Sequence, residues 1–270
     1  MSATVNATQT QTQRALGWLQ PHRIGLIAIA AGLVIAAAFN MRWEWIPAYF
    51  DLALVGIWRT IWITILSGAL GFALAVPIGL VQAAGPWWLA MPAKAFCTVI
   101  RGTPLLLQLW LLYYGLGSLF PQFPWIRNSD LWPILRQAWP YAVLALTLST
   151  AGYTGEVMRG AFAGVARGQI EAAEAYGMRR ITLFRRIWLP QAVMGVLPTL
   201  SGEAVLLLKS TPLVATITVV DIYAVASRVR QDTLIVYEPL LLIAVIYLCI
   251  TAVIVFLFKK LEARVPVRLG

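Results

Sequence analysis

The chain has 270 residues, 60% of them hydrophobic and 12% charged, at a mean hydropathy of +0.77. Soluble domains run at about 45–50% apolar and about 25% charged residues, so this composition excludes a water-soluble enzyme or binding domain and implies a polytopic membrane protein. The formal charge of +10, from 21 Lys and Arg against 11 Asp and Glu, sets topology in such a chain rather than binding nucleic acid.

The uncharged polar opening MSATVNATQTQTQ begins a 1–23 segment expected to be a disordered cytoplasmic tail. An apolar run over 24–39 follows, behind Arg14, His22 and Arg23. Ala36, Ala37 and Ala38 would suit signal cleavage, but the run is long for a signal and joins a chain full of further spans, so it reads as an uncleaved first helix. Five more spans are predicted at 52–81, 94–120, 139–162, 191–220 and 237–258, each long enough for a bilayer core that takes about 20 apolar residues. Gly68 and Gly71 predict a close-packing face, as do Gly160, Gly164 and Gly168. The expected fold is all-α, a membrane bundle of about six transmembrane helices. With the N-terminus inside, thirteen Lys and Arg fall in the cytoplasm against five outside, which places both termini in the cytoplasm.

Cys97 and Cys249 lie in or beside apolar runs and His22 is the single histidine, so neither a disulfide framework nor a Cys/His metal site is expected. No nucleophile–base constellation marks an intramembrane enzyme. No G-x-x-x-x-G-K-[ST] phosphate loop occurs, so any ATP that drives this protein is hydrolysed by another chain. No internal repeat is visible, which weakens a secondary transporter driven by an ion gradient. That rival also relies on intramembrane carboxylates, and only Glu203 and, nearer a helix end, Glu156 are available.

The stretch GQIEAAEAYGMRRITLFRRIWLP is the most informative. Glu171 and Glu174 are expected in the first turn of a short helix, where carboxylates suit the positive dipole end. Gly177 fits the left-handed position past its end, and a second helix is expected from Met178. Ile181, Phe184 and Ile187 with Trp188 share one face of it, and Pro190 suits the first turn of the next span. The object predicted is a rigid helix–Gly–helix elbow with a small, flat Ala172–Ala173 surface at its tip. A basic interfacial helix would explain the arginines but not an acidic, alanine-lined helix ended by glycine.

The residues Glu171, Ala172, Ala173, Gly177, Ile187, Leu189 and Pro190 match E-A-A-x3-G-x9-I-x-L-P, which resembles the EAA loop of permease subunits of bacterial ABC importers. The resemblance implies that 166–190 is the coupling loop that docks a cytoplasmic ATPase, with Glu171 as polar anchor, Ala172 and Ala173 permitting close approach and Gly177 setting the elbow. Arg101-Gly102-Thr103-Pro104 followed by LLLQLWLLYYGLG, the run Tyr153-Thr154-Gly155-Glu156, and Lys209-Ser210-Thr211-Pro212-Leu213 are similar to signatures of the polar amino-acid branch, whose members import histidine, glutamine, glutamate or opines. This likeness covers 50–260 and leaves 24–39 as an added helix before a five-helix core, with 261–270 as a cytoplasmic tail. It implies a multi-pass protein of the bacterial cytoplasmic membrane. Its partners would be two ATPase subunits, a second permease (identical or homologous), an external solute-binding protein, an amino-acid substrate and membrane lipid. No cofactor would be held by this chain, ATP being bound by the partner.

Read from the residues alone, Pro104 disfavours helix at Thr103 and removes a donor, so Arg101–Pro104 is a helix break. An arginine there serves freed carbonyls, an acidic partner or an anionic substrate. Glu203 and Lys209 lie in the fifth run, where a charge costs about 2.5–3.5 kcal/mol at mid-membrane, and their spacing of six puts them on different sides of a helix. Pro212 frees the Leu208 carbonyl beside Lys209, an alternative to a pathway role for that ammonium. The candidate polar lining is Glu203, Lys209, Thr211 and Glu156, and the candidate break or gating positions are Arg101, Gly102, Thr103, Pro104 and Pro212.

Overall fold

The computed structural model describes residues 39–264 and, before them, positions 25, 26, 28, 29 and 32. The expected tail over 1–23, most of the expected span 24–39 and the last six residues of the expected tail 261–270 lie outside these. The chain divides after Pro47 into two units. In the first, a turn precedes the long helix, the Ile46 N–H donating to the Trp43 carbonyl at 3.1 Å.

The second unit is built from helices, with no strand among the described residues. Helix α1 (Ile46–Ala84) has 39 residues, about 58 Å at about 1.5 Å per residue, more than the hydrocarbon core requires. The span expected at 94–120 is two segments: α2 (Trp87–Gly102) and α3 (Leu105–Trp110). The latter continues through a π-helical stretch (Leu111–Leu116), and the pair is bent by 104°. The cause is local: Thr103 is extended at φ −110 and ψ 141 before Pro104. Two short helices, α4 (Pro124–Arg127) and α5 (Trp132–Leu135), lead to α6 (Trp139–Ala163). Then come α7 (Arg167–Ala175) and α8 (Arg180–Leu183), the latter passing through a π-helical stretch (Phe184–Trp188) into α9 (Leu189–Ser210). A 3-10 segment (Thr211–Ile217) ends the run expected to stay helical to 220, and α10 (Ile222–Thr233) and α11 (Tyr237–Glu262) complete the order.

Helix α6 is the axis of this unit. It buries Tyr141, Leu146, Met158 and Phe162 together with small and hydroxylated residues, whereas α11 buries only Pro239 and Ile243. A helix enclosed by protein can carry Thr, Ser and Gly, while one turned to lipid keeps its leucines outward. Close approach of α1 to α6 depends on glycine: a Cβ at Gly71 would lie 2.6 Å from Thr150 Cβ, and one at Gly79 would lie 2.5 Å from Met158 Cβ. Gly68 faces Leu207 of α9. The second expected glycine face is not one: Gly160 and Gly168 have open space around them, and Gly164 meets only carbonyls of its own helix. Their spacing reflects the end of α6 and the turn into α7, not a helix contact.

One core cluster joins Ile63, Leu109, Tyr141, Leu146, Leu207, Val214 and Ile217, tying α1, α3, α6, α9 and the 3-10 segment together. A second cluster of Ala75, Met158, Phe162, Val165 and Ala192 takes in Ile170, Phe184 and Trp188. The loop between α6 and α9 is thereby packed onto the bundle rather than hanging from it. A polar knot closes the opposite end. Thr60 Oγ1 accepts from the Ile222 N–H at 3.2 Å, and the Tyr247 hydroxyl meets Thr211 Oγ1 at 3.0 Å. Asp221 is fully buried and caps α10 by accepting from the Ala224 N–H at 2.8 Å. It lies outside the membrane-spanning helices, and burial pushes its carboxyl up to about 6.

Candidate functional site

Two features converge on α6 and α9. The first is the elbow between them. Helix α7 ends at Ala175 with Tyr176 as its C-cap, and Gly177 follows at φ +73. The Gly177 N–H donates to the Glu174 carbonyl at 2.9 Å and the Met178 N–H to the Ala173 carbonyl at 3.1 Å, the bond pair of a Schellman end. The left-handed position expected at Gly177 is therefore where the structure has it. The helix starts differently, because Arg167 is its first residue and no acid stands in the first turn. Glu171 and Glu174 sit one turn and more further on, so the dipole does not account for them. Nor do both alanines face out: Ala172 is exposed and Ala173 is buried. The second helix starts at Arg180, not Met178, because Arg179 is extended at φ −63 and ψ 142.

From there the chain is fastened down. The Trp188 indole N–H donates to the Phe162 carbonyl at 3.0 Å, and its ring meets that of Phe162 edge-on at 5.6 Å. Phe184 packs on Phe162 at 6.1 Å, while Ile181, expected on the same face, is 62% exposed. Ile187 and Leu189 are half-buried, and Pro190 occupies the first turn of α9 as expected. Trp188 and Phe162 are thus the fasteners of the elbow; the sequence reading had Trp188 only as one face of a helix.

The second feature is a cavity of about 210 Å³ between α6, α9 and the break between α2 and α3. Its polar lining is Thr103, Ser149, Thr150, Tyr153, Glu203 and Ser210. Arg101 stands beside this lining, its guanidinium 5.7 Å over the Tyr153 ring. Of the four residues expected to form a polar lining, this cavity takes Glu203. Lys209 is exposed away from it. Thr211 is fully buried and donates to the Leu208 carbonyl at 2.8 Å, so a hydroxyl, not the Lys209 ammonium, serves the carbonyl freed by Pro212. Glu156 pairs with Arg159 at 2.6 Å on its own helix. Ser149, Thr150 and Tyr153 were missed. Their signal is hydroxyls at helical spacing in an otherwise apolar run.

The break itself is closed by Gln108, read from the sequence only within the run after Pro104. The Gln108 amide group donates to the carbonyls of Ile100 at 2.8 Å and Thr103 at 3.1 Å, and to Thr103 Oγ1 at 2.8 Å. The Thr103 hydroxyl donates to the Val99 carbonyl at 2.8 Å. Gly102 and Pro104 are exposed beside it. Carbonyls that lose helical partners away from water need such donors, and Gln108 supplies them from the next turn.

Residues 75–267 match the family described as the binding-protein-dependent transport system inner membrane component. The chain is 42% identical over 213 residues to the octopine transport system permease protein of Rhizobium radiobacter, covering 79% of this chain and 85% of that one. It is 36% identical over 213 residues to the histidine/lysine/arginine/ornithine transport system permease protein of Salmonella typhimurium strain LT2, with 77% and 88% covered. Among solved structures it is similar to an amino acid ABC transporter crystallised with histidines, at 28% identity and TM-score 0.69, over 83% of this chain and 99% of that one.

Proposed function

Because the chain belongs to the family of binding-protein-dependent transport system inner membrane components, we propose that it is the permease through which an ABC importer passes a polar amino acid or opine bearing a cationic group. A single observation carries the coupling part of this reading: the elbow lies in sequence between α6 and α9, and those two helices form walls of the cavity. With Trp188 fastened to Phe162, a push on the elbow is a push on both walls. A stiff connection between two bistable parts is what coupling to a separate motor requires. The chain itself carries out no catalysis.

The arginines at the elbow end support a cytoplasmic elbow by the positive-inside rule, with both termini on that side and the protein in the bacterial inner membrane. The exposed Glu171 and Ala172 are then presented to an ATPase subunit, one on each of two permeases, and a solute-binding protein delivers substrate at the opposite end. The substrate class follows from charge. Glu203 is the one ionisable lining group besides Tyr153, which suits an ammonium or guanidinium, and Arg101 beside it suits the α-carboxylate. Relatives named for octopine and for histidine, lysine, arginine and ornithine agree with this.

The test is uptake into proteoliposomes holding the permease with its ATPase and binding protein, using labelled arginine. Uptake should need internal-face ATP and persist when ion gradients are collapsed. Glu203→Ala should lower it at least tenfold while the complex stays assembled. Uptake that follows an ion gradient without ATP would establish the rival secondary mechanism instead.

A further inference from the structure

The elbow end holds a second cavity, a groove of about 840 Å³ between the end of α1 and the α7–α8 corner. Leu80 and Ala84 form one wall, Ile181, Phe184 and Trp188 the other, and Arg180 and Glu174 are its charged lining. Three observations bear on what fills it. Trp87 and Trp88, directly after the helix end that forms the wall, are 77% and 59% exposed; exposed tryptophans at the end of a span mark headgroup depth. The segment from Arg167 to Trp188 carries five arginines and two glutamates, and among the described residues Arg179, Arg180, Arg185 and Arg186 take part in no ion pair. Lastly, Glu171 and Ala172, the exposed positions assigned above to the ATPase, do not line the groove, one wall of which is the end of α1.

Apolar walls at interfacial depth with unpaired guanidinium groups beside them fit an amphiphile with an anionic head. A water-soluble solute gains nothing from the walls, and a zwitterionic lipid offers the arginines a phosphodiester whose charge its own ammonium cancels. Basic pockets between membrane helices on the cytoplasmic side recognise anionic headgroups, and guanidinium suits a phosphodiester by paired hydrogen bonds. We propose that this groove binds one anionic phospholipid, its acyl chain against Leu80, Ala84 and Phe184 and its phosphate on Arg180 with Arg179. A lipid seated there braces the elbow against α1, so the anionic fraction of the membrane becomes an input to coupling. The site rests on the membrane reading and on the elbow's orientation, but not on the identity of the transported substrate.

The full-length permease complex in nanodiscs of equal phosphatidylglycerol and phosphatidylcholine, released into native mass spectrometry, is the direct test. Wild-type protein should retain phosphatidylglycerol at least fivefold over phosphatidylcholine. Arg179→Gln with Arg180→Gln should remove that preference, and Arg179→Lys with Arg180→Lys should keep most of it, which separates charge from folding. Ala84→Phe, which fills the groove and leaves every arginine in place, should also reduce retention. Equal retention of both lipids by the wild type, or a preference unmoved by the glutamine pair, overturns the site. So does a photo-crosslinker at Ile181 that labels the ATPase and no lipid.

Discussion

The chain interrupts its helices at Gly177 and at Thr103–Pro104, and it solves the same backbone problem in two ways. At Gly177 the surroundings are open: Tyr176 is 88% exposed, nothing stands near the glycine, and two backbone bonds with a left-handed residue are enough. At Thr103 the break lies within a membrane span, and the freed carbonyls take donors from Gln108 and Thr103 side chains. Water can complete an exposed helix end, whereas lipid cannot. The elbow is therefore specified by one conformation, and the interior break by a set of hydrogen bonds.

This contrast gives graded expectations. Gly177→Val puts a β-branched residue at positive φ, where even an ordinary residue costs about 1–2 kcal/mol, and should reorient α8. Uptake should fall at least tenfold with membrane insertion unchanged, while Gly177→Asn, which tolerates the left-handed region, should stay within about threefold of wild type. Equal loss in both variants would mean that the side chain, not the dihedral, matters at the elbow.

At the interior break the conformation survives substitution but the donors do not. Gln108→Leu removes the two N–H donors that serve the Ile100 and Thr103 carbonyls, at about 1–3 kcal/mol per stranded acceptor, so the stability of the purified permease should drop by about 2 kcal/mol or more. An unchanged melting temperature would show that water or lipid headgroups reach the break.

The knot at the far end is intermediate, its carboxylate Asp221 buried but outside the spanning helices. Asp221 sits at about 6 against an ordinary 3.8. The folded protein thus binds the proton more tightly than the unfolded chain, and stability falls as pH rises from about 4 to about 6. Asp221→Asn keeps an N-cap oxygen, and should flatten that decline and gain up to about 2–3 kcal/mol at pH 7. A denaturation series from pH 4 to 8 reads this directly, and an equal slope in both proteins would remove Asp221 as its source. The smallest effect belongs to Tyr247→Phe, which deletes the hydroxyl that meets Thr211 and lies against Thr60 and Asp221 and should cost about 1–2 kcal/mol, measured in the same assay.

Much of this was readable beforehand. Gly177 and Pro190 announce themselves because their backbone preferences are intrinsic, and Thr103–Pro104 for the same reason. The run of arginines is what the proposed orientation rests on, since charge and topology are linked by the bilayer and not by packing. Span boundaries were legible to a few residues for α6 and α11. By contrast, α1 starts six residues before the expected 52, and α2 starts seven before the expected 94, in a run that bends at Thr103. Apolar sequence also hid the turn at Ser210 into a 3-10 segment.

What the sequence could not say is which polar groups meet. Lys209 and Glu203 look alike as buried charges in one apolar run, yet Glu203 lines the cavity and Lys209 is exposed. Thr211 reads as a pathway hydroxyl and serves as a structural one, and Gln108 reads only as part of a signature and holds the break. Composition and local dihedral preference are properties of short segments, so the helices and their breaks follow from the chain itself. Partner choice depends on how α1, α6, α9 and α11 are rotated against one another. That rotation is set by glycine contacts such as Gly71 on Thr150 and by side chains far apart in sequence, so only the assembled bundle decides it.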